Sequence, residues 1–132
     1  VGNGILESEL KKYASKNIVV LPFQNQSVMP IVYRLADIFV LPSKGPGETW
    51  GLAVNEAMAC GKSVLVSDKV GCAVDLVKPN ENGFVFKSEK LSDLIKKMIS
   101  FKNKTSEFGK KSKEIIENWS FYKITNTIEN TI

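Results

Sequence analysis

The chain has no histidine at all. It therefore offers no Ser-His or Cys-His pair and no imidazole metal ligand, and any step needing an imidazole must draw it from elsewhere. Only two cysteines are present, Cys60 and Cys72. They are too few and too oddly placed for a disulfide framework or a zinc site, and they read as two reduced, buried thiols. No apolar run is long enough to span a bilayer. The opening Val1-Gly-Asn-Gly-Ile-Leu-Glu7 lacks the basic region and apolar stretch of a secretory leader, and it lacks an initiator Met. It looks like the stub of a strand, so the expectation is a piece cut from a longer, cytoplasmic protein. No phosphate loop ending in Gly-Lys-Ser/Thr occurs, and no G-x-G-x-x-G follows a strand, which leaves nucleoside triphosphatases and dinucleotide dehydrogenases unsupported.

What the chain does have is 132 residues, 43% of them hydrophobic, enough for one domain with a sizeable core. The net charge is +4 with a pI near 9.0. Much of the excess lies between Lys87 and Lys113. A solvated helix face is the plain explanation, and a membrane-surface role is the second. Nucleic acid is not expected, since no recognition motif or aromatic–basic interleaving accompanies these lysines.

Apolar periodicity alternates between helix and strand with short connections, which predicts an α/β fold with a mainly parallel sheet. An amphipathic helix is expected over Ile5–Ala14, with Leu6, Leu10 and Tyr13 on one face. Ile18–Leu21, Ile38–Leu41 and Ser63–Ser67 read as buried strands, the first two ended by Pro22 and Pro42. Phe84–Phe86 reads as a short last strand after the turn Pro79–Gly83. Ser27 is the expected cap of a helix through Ala36, with Ile31 and Leu35 inward and Pro30 in its first turn. A helix over Gly51–Cys60 is closed by Gly61, and a short one covers Ala73–Val77. Ser88 or Ser92 starts another, through about Phe101. Helices over Thr105–Asn118 and along the tail follow, the latter with a stripe at Ile124, Ile128 and Ile132 that must bury against something.

The most informative stretch runs from Pro42 to Gly61. There a strand enters a glycine-rich loop, which enters a helix. Gly45, Gly47 and Gly51 permit unusual backbone angles and close approach to a ligand, although an ordinary surface loop would have the same composition. The amides of Thr49, Trp50, Gly51 and Leu52 are placed to receive phosphate at a helix N-terminus, with the Thr49 hydroxyl assisting. Trp50 either anchors the loop or walls a sugar. Glu56 lies inside an otherwise apolar helix and must be paired, solvated or turned to a ligand. Vicinal ribose hydroxyls suit it, and so does a salt bridge. Glu48 suits sugar hydroxyls, or is simply an exposed loop acid. Amides for phosphate between carboxylates for hydroxyls match a nucleotide sugar.

The string Ala36-Asp-Ile-Phe-Val-Leu-Pro-Ser43 through Glu48-Thr-Trp-Gly-Leu-Ala-Val-Asn-Glu56-Ala-Met-Ala-Cys-Gly61 resembles the donor-binding half of retaining GT-B glycosyltransferases, the group 1 or family 4 type. Its hallmark is two Glu separated by seven residues, here Glu48 and Glu56. Val1-Gly-Asn-Gly4, the segment Asp68–Val77 and Asn82-Gly83-Phe84 are similar to further family pieces, so the likeness covers about Val1 to Lys87. The resemblance implies a Rossmann-like parallel sheet flanked by helices, the C-terminal half of a GT-B fold lacking its first strand. It implies that residues 1–132 form one truncated nucleotide-sugar-binding domain. Glu48 would bind the transferred sugar, Glu56 the ribose, and amides around Trp50-Gly51-Leu52, with Gly47, the diphosphate. The base would rest near Phe23 and Gln24. Transfer would proceed with retention and no bound metal or other cofactor, the leaving-group charge being met by amides and basic side chains.

In the family a basic pair that neutralises the diphosphate would lie upstream of Val1, and Lys44 is the candidate substitute. The loop Ser43–Glu48 is longer than usual. The acceptor, a glycan or lipid-linked sugar, would be held by a missing N-terminal half. A hexosyltransferase of polysaccharide assembly, cytoplasmic or peripheral at the inner membrane face, is the implied whole. The fragment alone would be inactive. The sheet's central strand would belong to the missing segment, so a gapped sheet or self-association through exposed edges is expected. A GT-B-type nucleotide-sugar epimerase and a non-catalytic flavodoxin-like module are the alternatives.

Overall fold

The computed structural model describes residues 1–131. A three-stranded parallel sheet carries strands β1 (Ile38–Leu41), β2 (Ser63–Ser67) and β3 (Gly83–Phe86) in the order β1-β2-β3. Phe39 sits opposite Val64, and Leu65 opposite Phe84. Around it lie α1 (Glu7–Leu10), a 3₁₀ turn (Lys11–Tyr13), α2 (Met29–Leu35), α3 (Leu52–Ala59), α4 (Ala73–Leu76), α5 (Leu91–Ile99), α6 (Thr105–Glu117) and α7 (Phe121–Glu129).

Every residue of the central strand β2 is buried, as a continuous apolar run covered on both faces requires. Because side chains alternate along a strand, β2 feeds two cores. Val64 and Val66 meet Val54 and Met58 of α3 and Leu76 of α4. Leu65 points the other way, into Phe84, Phe86, Phe101 and Phe108. Phe84 and Phe101 meet edge to face at 5.0 Å and 87°, a geometry that the ring quadrupole favours. The turn before β3 is clamped by buried Asn82. Its amide donates to the Leu76 carbonyl at 2.9 Å, and its oxygen accepts from the Lys78 amide at 2.7 Å.

Helix α3 ends as expected at Gly61. The residue has φ +72°, the Gly61 amide donates to the Met58 carbonyl, and the Lys62 amide to that of Ala57. This is the two-bond glycine termination of a helix.

Other expectations are corrected. Ile5–Ala14 is not one helix but the four-residue α1 and a single 3₁₀ turn, with Leu6, Leu10 and Tyr13 exposed. Ile18–Leu21 forms no strand. Its contacts are a lone bridge from Ser15 to Ile18 and a bond from the Gly2 amide to the Leu21 carbonyl. A buried parallel strand needs ladder partners, and among the described residues β1 pairs with β2 alone. The apolar pattern of residues 1–21 thus finds no sheet edge to bury against. The three strands pair contiguously, so the expected gap does not appear among them, and the sheet simply stops at β1.

Ser27 does not cap α2, whose N-cap position is Val28 with no side-chain cap, and Asn25 organises the turn before it. The Asn25 side-chain oxygen accepts from the Ser27 hydroxyl at 2.6 Å and from the Val28 amide at 3.2 Å, the Asx geometry that competes with a serine cap. Ile31 and Leu35 face solvent, and the buried residue of α2 is Tyr33. Neither Ser88 nor Ser92 caps α5, whose start is tied by the Asp93 carboxylate accepting from the Lys87 amide at 2.7 Å. Only Leu94 of its apolar residues packs on the core. Ser120 caps α7 through the Lys123 amide. Ile124 and Ile128 of that helix are exposed, and Ile132 lies outside the described residues.

Candidate functional site

The loop from Pro42 to Gly51 leaves the carboxyl end of β1, where open α/β sheets place their ligands. Two neighbouring segments hold it. The Ser67 hydroxyl at the end of β2 donates to the Ser43 carbonyl at 2.6 Å, and the Ser88 hydroxyl to the same oxygen at 3.4 Å. Further on, the Gly71 amide donates to the Glu48 carbonyl at 3.3 Å and the Cys72 amide to the Trp50 carbonyl at 2.8 Å.

This approach demands glycine twice. A Cβ on Gly71 would stand 1.8 Å from the Thr49 carbonyl oxygen. Gly51 has φ +101°, and a Cβ there would lie 2.7 Å from Val70. The left-handed turn at Gly51 starts α3 with no side-chain cap. The amides of Gly51, Leu52 and Ala53 consequently have no protein acceptor among the described residues. Unbonded N–H groups and the positive end of an eight-residue helix make this point receptive to an anion.

Trp50 is resolved as the loop's anchor. Its indole N–H donates to the Asn55 side-chain oxygen at 2.9 Å, and its ring lies 5.4 Å from that of Trp119 at the end of α6. Cys72 beneath the loop is buried, and that burial pushes its thiol up to about 11, so it stays a protonated, inert filler near neutral pH.

The two acids lie on either side of the helix start. Glu48 is half-buried, with one carboxylate oxygen accepting from the Ser43 hydroxyl at 3.2 Å. Glu56 is exposed and accepts from the Tyr33 hydroxyl at 2.8 Å. Among the described residues it makes no ion pair, so the salt bridge that competed for it in the sequence is not formed. Tyr33 is only 6% exposed. Burial first, and then the adjacent Glu56, push its phenol well above the usual tyrosine range, so the hydroxyl remains a donor.

Glu56 stands where two hollows meet. One, of about 420 Å³, lies between α2 and α3 and is lined by Gln26, Pro30, Tyr33, Arg34 and Cys60. The other, of about 710 Å³, is apolar and is bounded by Trp50, Leu52, Ile116, Trp119 and Ile124. Leu52 and Thr49 are exposed at the helix entry, and Gly47 sits in open space. Lys44 is not with them. It borders a separate hollow with Phe86, Glu89 and Leu91 on the β3 side. Phe23 is 65% exposed, Gln24 donates to the Pro22 carbonyl at 3.2 Å, and neither lines the hollows at Glu56. Tyr33, Asn55 and Gly71 are the residues that sequence reasoning missed. Each acts through a partner remote or unsignalled in sequence; only the lone aromatic in α2 was a visible cue.

The chain is similar to several known proteins. The model of the family described as glycosyl transferases group 1 matches residues 1–119. D-inositol 3-phosphate glycosyltransferase of Rhodococcus erythropolis is 27% identical over 107 residues, covering 79% of this chain and 24% of that protein. The N,N'-diacetylbacillosaminyl-diphospho-undecaprenol alpha-1,3-N-acetylgalactosaminyltransferase of Campylobacter jejuni is 42% identical over 62 residues, 47% of this chain and 16% of that protein. The chain thus spans a quarter or less of these relatives. Among solved structures, sucrose-phosphate synthase from Thermosynechococcus elongatus superimposes with a TM-score of 0.77 at 21% identity, over 96% of this chain and 32% of that one. HepE of Anabaena, solved in complex with UDP, gives 0.77 at 26% identity, over 96% and 35%. The fold is that of the C-terminal half of a GT-B glycosyltransferase. By its match over nearly the whole sequence, this chain belongs to the glycosyl transferases group 1 family.

Proposed function

We propose that residues 1–132 are the nucleotide-sugar-binding domain of a retaining, family 4 type hexosyltransferase. The single observation that carries this is the uncapped start of α3 at Gly51, with unbonded amides and a carboxylate on either side. The amides of Thr49 to Leu52, beside Gly47, take the diphosphate. Glu56 takes the ribose hydroxyls through its free oxygen, and Glu48 the hydroxyls of the sugar being transferred. Phe23, Gln24 and Lys44 stand away from the hollows at Glu56 and take no part in this reading. As the bond from the anomeric carbon to the diphosphate breaks, negative charge grows on the leaving oxygen. Fixed N–H dipoles stabilise that charge without reorganising, and no metal is required. That HepE was solved with UDP and with UDP-glucose supports a nucleotide sugar as the donor class.

The acceptor, a glycan or lipid-linked sugar, belongs to the other half of the enzyme, and the segment alone transfers nothing. The relative acting on an undecaprenol-linked diphosphosugar supports a lipid-linked acceptor. The lysines between Lys87 and Lys113 then face anionic lipid at the inner membrane surface, and the open edge of β1 is where isolated segments self-associate.

Glu56→Ala in the full-length protein tests the ribose assignment. Loss of charge-assisted acceptors should raise the Kd for the cognate nucleoside diphosphate by about ten- to a hundredfold. An unchanged Kd by calorimetry would remove Glu56 from the site.

A further inference from the structure

Tyr33 is a polar-tipped residue spent on a buried position of α2. Its ring packs edge-on against Phe39 at 5.6 Å and 73°, a contact that phenylalanine would make equally well. What phenylalanine lacks is the hydroxyl, and that hydroxyl has Glu56 as its acceptor, at 2.8 Å. The bond crosses from α2 to α3, between residues 23 positions apart in sequence.

We propose that Tyr33 is a positioning residue that fixes the Glu56 carboxylate in the orientation needed to receive the ribose diol. The inference rests on the assignment of Glu56 to the ribose. An exposed Glu on a helix has three side-chain torsions to settle before its free oxygen can meet the ribose hydroxyls. Pinning one oxygen in the free protein removes most of that ordering cost on binding. The Tyr33 ring is held by burial and by Phe39, so the pin itself does not move. The donor is also neutral. A lysine or arginine in its place would hold the carboxylate equally but would offset the charge that makes it a strong acceptor. Tyrosine orients without neutralising. Burial and the Glu56 charge keep its proton in place.

The test is Tyr33→Phe in the full-length protein, with Kd measured for UDP, GDP and ADP and for their 2′,3′-dideoxy counterparts. For whichever ribonucleotide the wild type binds, the variant should bind about three- to tenfold more weakly. The dideoxy counterpart should change by less than about twofold, since it makes no use of Glu56. Adding Tyr33→Phe to Glu56→Ala should cost nothing further, because the pinned group is gone. Equal loss for the ribo and dideoxy forms would make Tyr33 merely structural and overturn the inference, as would no loss in either. If the wild type bound none of the three ribonucleotides, the reading of the site itself would fall, and this inference with it.

Discussion

Glu48→Ala in the full-length enzyme should lower kcat by about two to three orders of magnitude, while the Kd for the bare nucleoside diphosphate changes by less than about threefold. The asymmetry follows from where Glu48 stands. It lies before the helix start, on the loop side, with one oxygen held by the Ser43 hydroxyl and the other without a protein donor among the described residues. The ribose end is proposed for Glu56, four residues into α3 after Leu52. A group that meets only the transferred sugar has nothing to lose when that sugar is absent. It matters most when charge develops at the anomeric carbon, because interactions that strengthen in the transition state act on kcat. Single-turnover kinetics with the sugar donor, set against calorimetry with the diphosphate alone, separate the two quantities. Loss of transfer and diphosphate binding by the same factor would place Glu48 in the diphosphate or ribose site instead.

Gly71→Ala should be among the most damaging single-methyl additions in the chain. The new Cβ would stand 1.8 Å from the Thr49 carbonyl oxygen and 2.7 Å from its carbonyl carbon. Both are backbone atoms with no flexible end to yield. Either the loop lifts or the Val70–Cys72 turn retreats. Both movements break the bonds from Gly71 to Glu48 and from Cys72 to Trp50. Overpacking against backbone together with two lost hydrogen bonds should cost on the order of 3 kcal/mol. Urea denaturation reads that loss as a lower midpoint with an unchanged slope. The control is Gly45→Ala in the same loop, where an added Cβ meets nothing within 4 Å. It should stay within about 0.5 kcal/mol of the parent. If the two variants were equally stable, the loop would not be seated on the Gly71 turn. Nucleotide affinity should fall with Gly71→Ala as well, since the amides after Thr49 are aimed by that seat.

The parts of this fold that were legible in the sequence are those whose determinants are local. Ile38–Leu41 and Ser63–Ser67 form strands with the expected bounds, because an apolar run stopped by Pro42 or begun after a helix-ending glycine allows little else. Gly61 closes α3 because its left-handed conformation is cheap only for glycine. The glycine-rich loop was legible from composition, while the pairing of its two acids came from the resemblance to the family. What was not legible depends on partners. Ile18–Leu21 has the pattern of a buried strand, but a pattern specifies burial and not the neighbour that provides it. Within α2, periodicity favoured Ile31 and Leu35, whereas packing against the sheet selected Tyr33 and turned those two to solvent. Likewise the Tyr33–Glu56 bond and the Gly71–Thr49 approach join residues more than twenty positions apart. No local rule links such pairs. Lys44 was placed by charge alone, and its backbone carries it toward Glu89 rather than Glu56.

Main-chain donors at the start of α3 are the proposed hold on the diphosphate. The most direct measurement is a titration of the full-length protein with UDP, GDP and ADP sugars, followed by amide chemical shifts. The account predicts that the largest changes fall on the amides of Thr49, Trp50, Gly51, Leu52 and Ala53 for at least one of these donors. Saturable binding that leaves those five amides unmoved would contradict it.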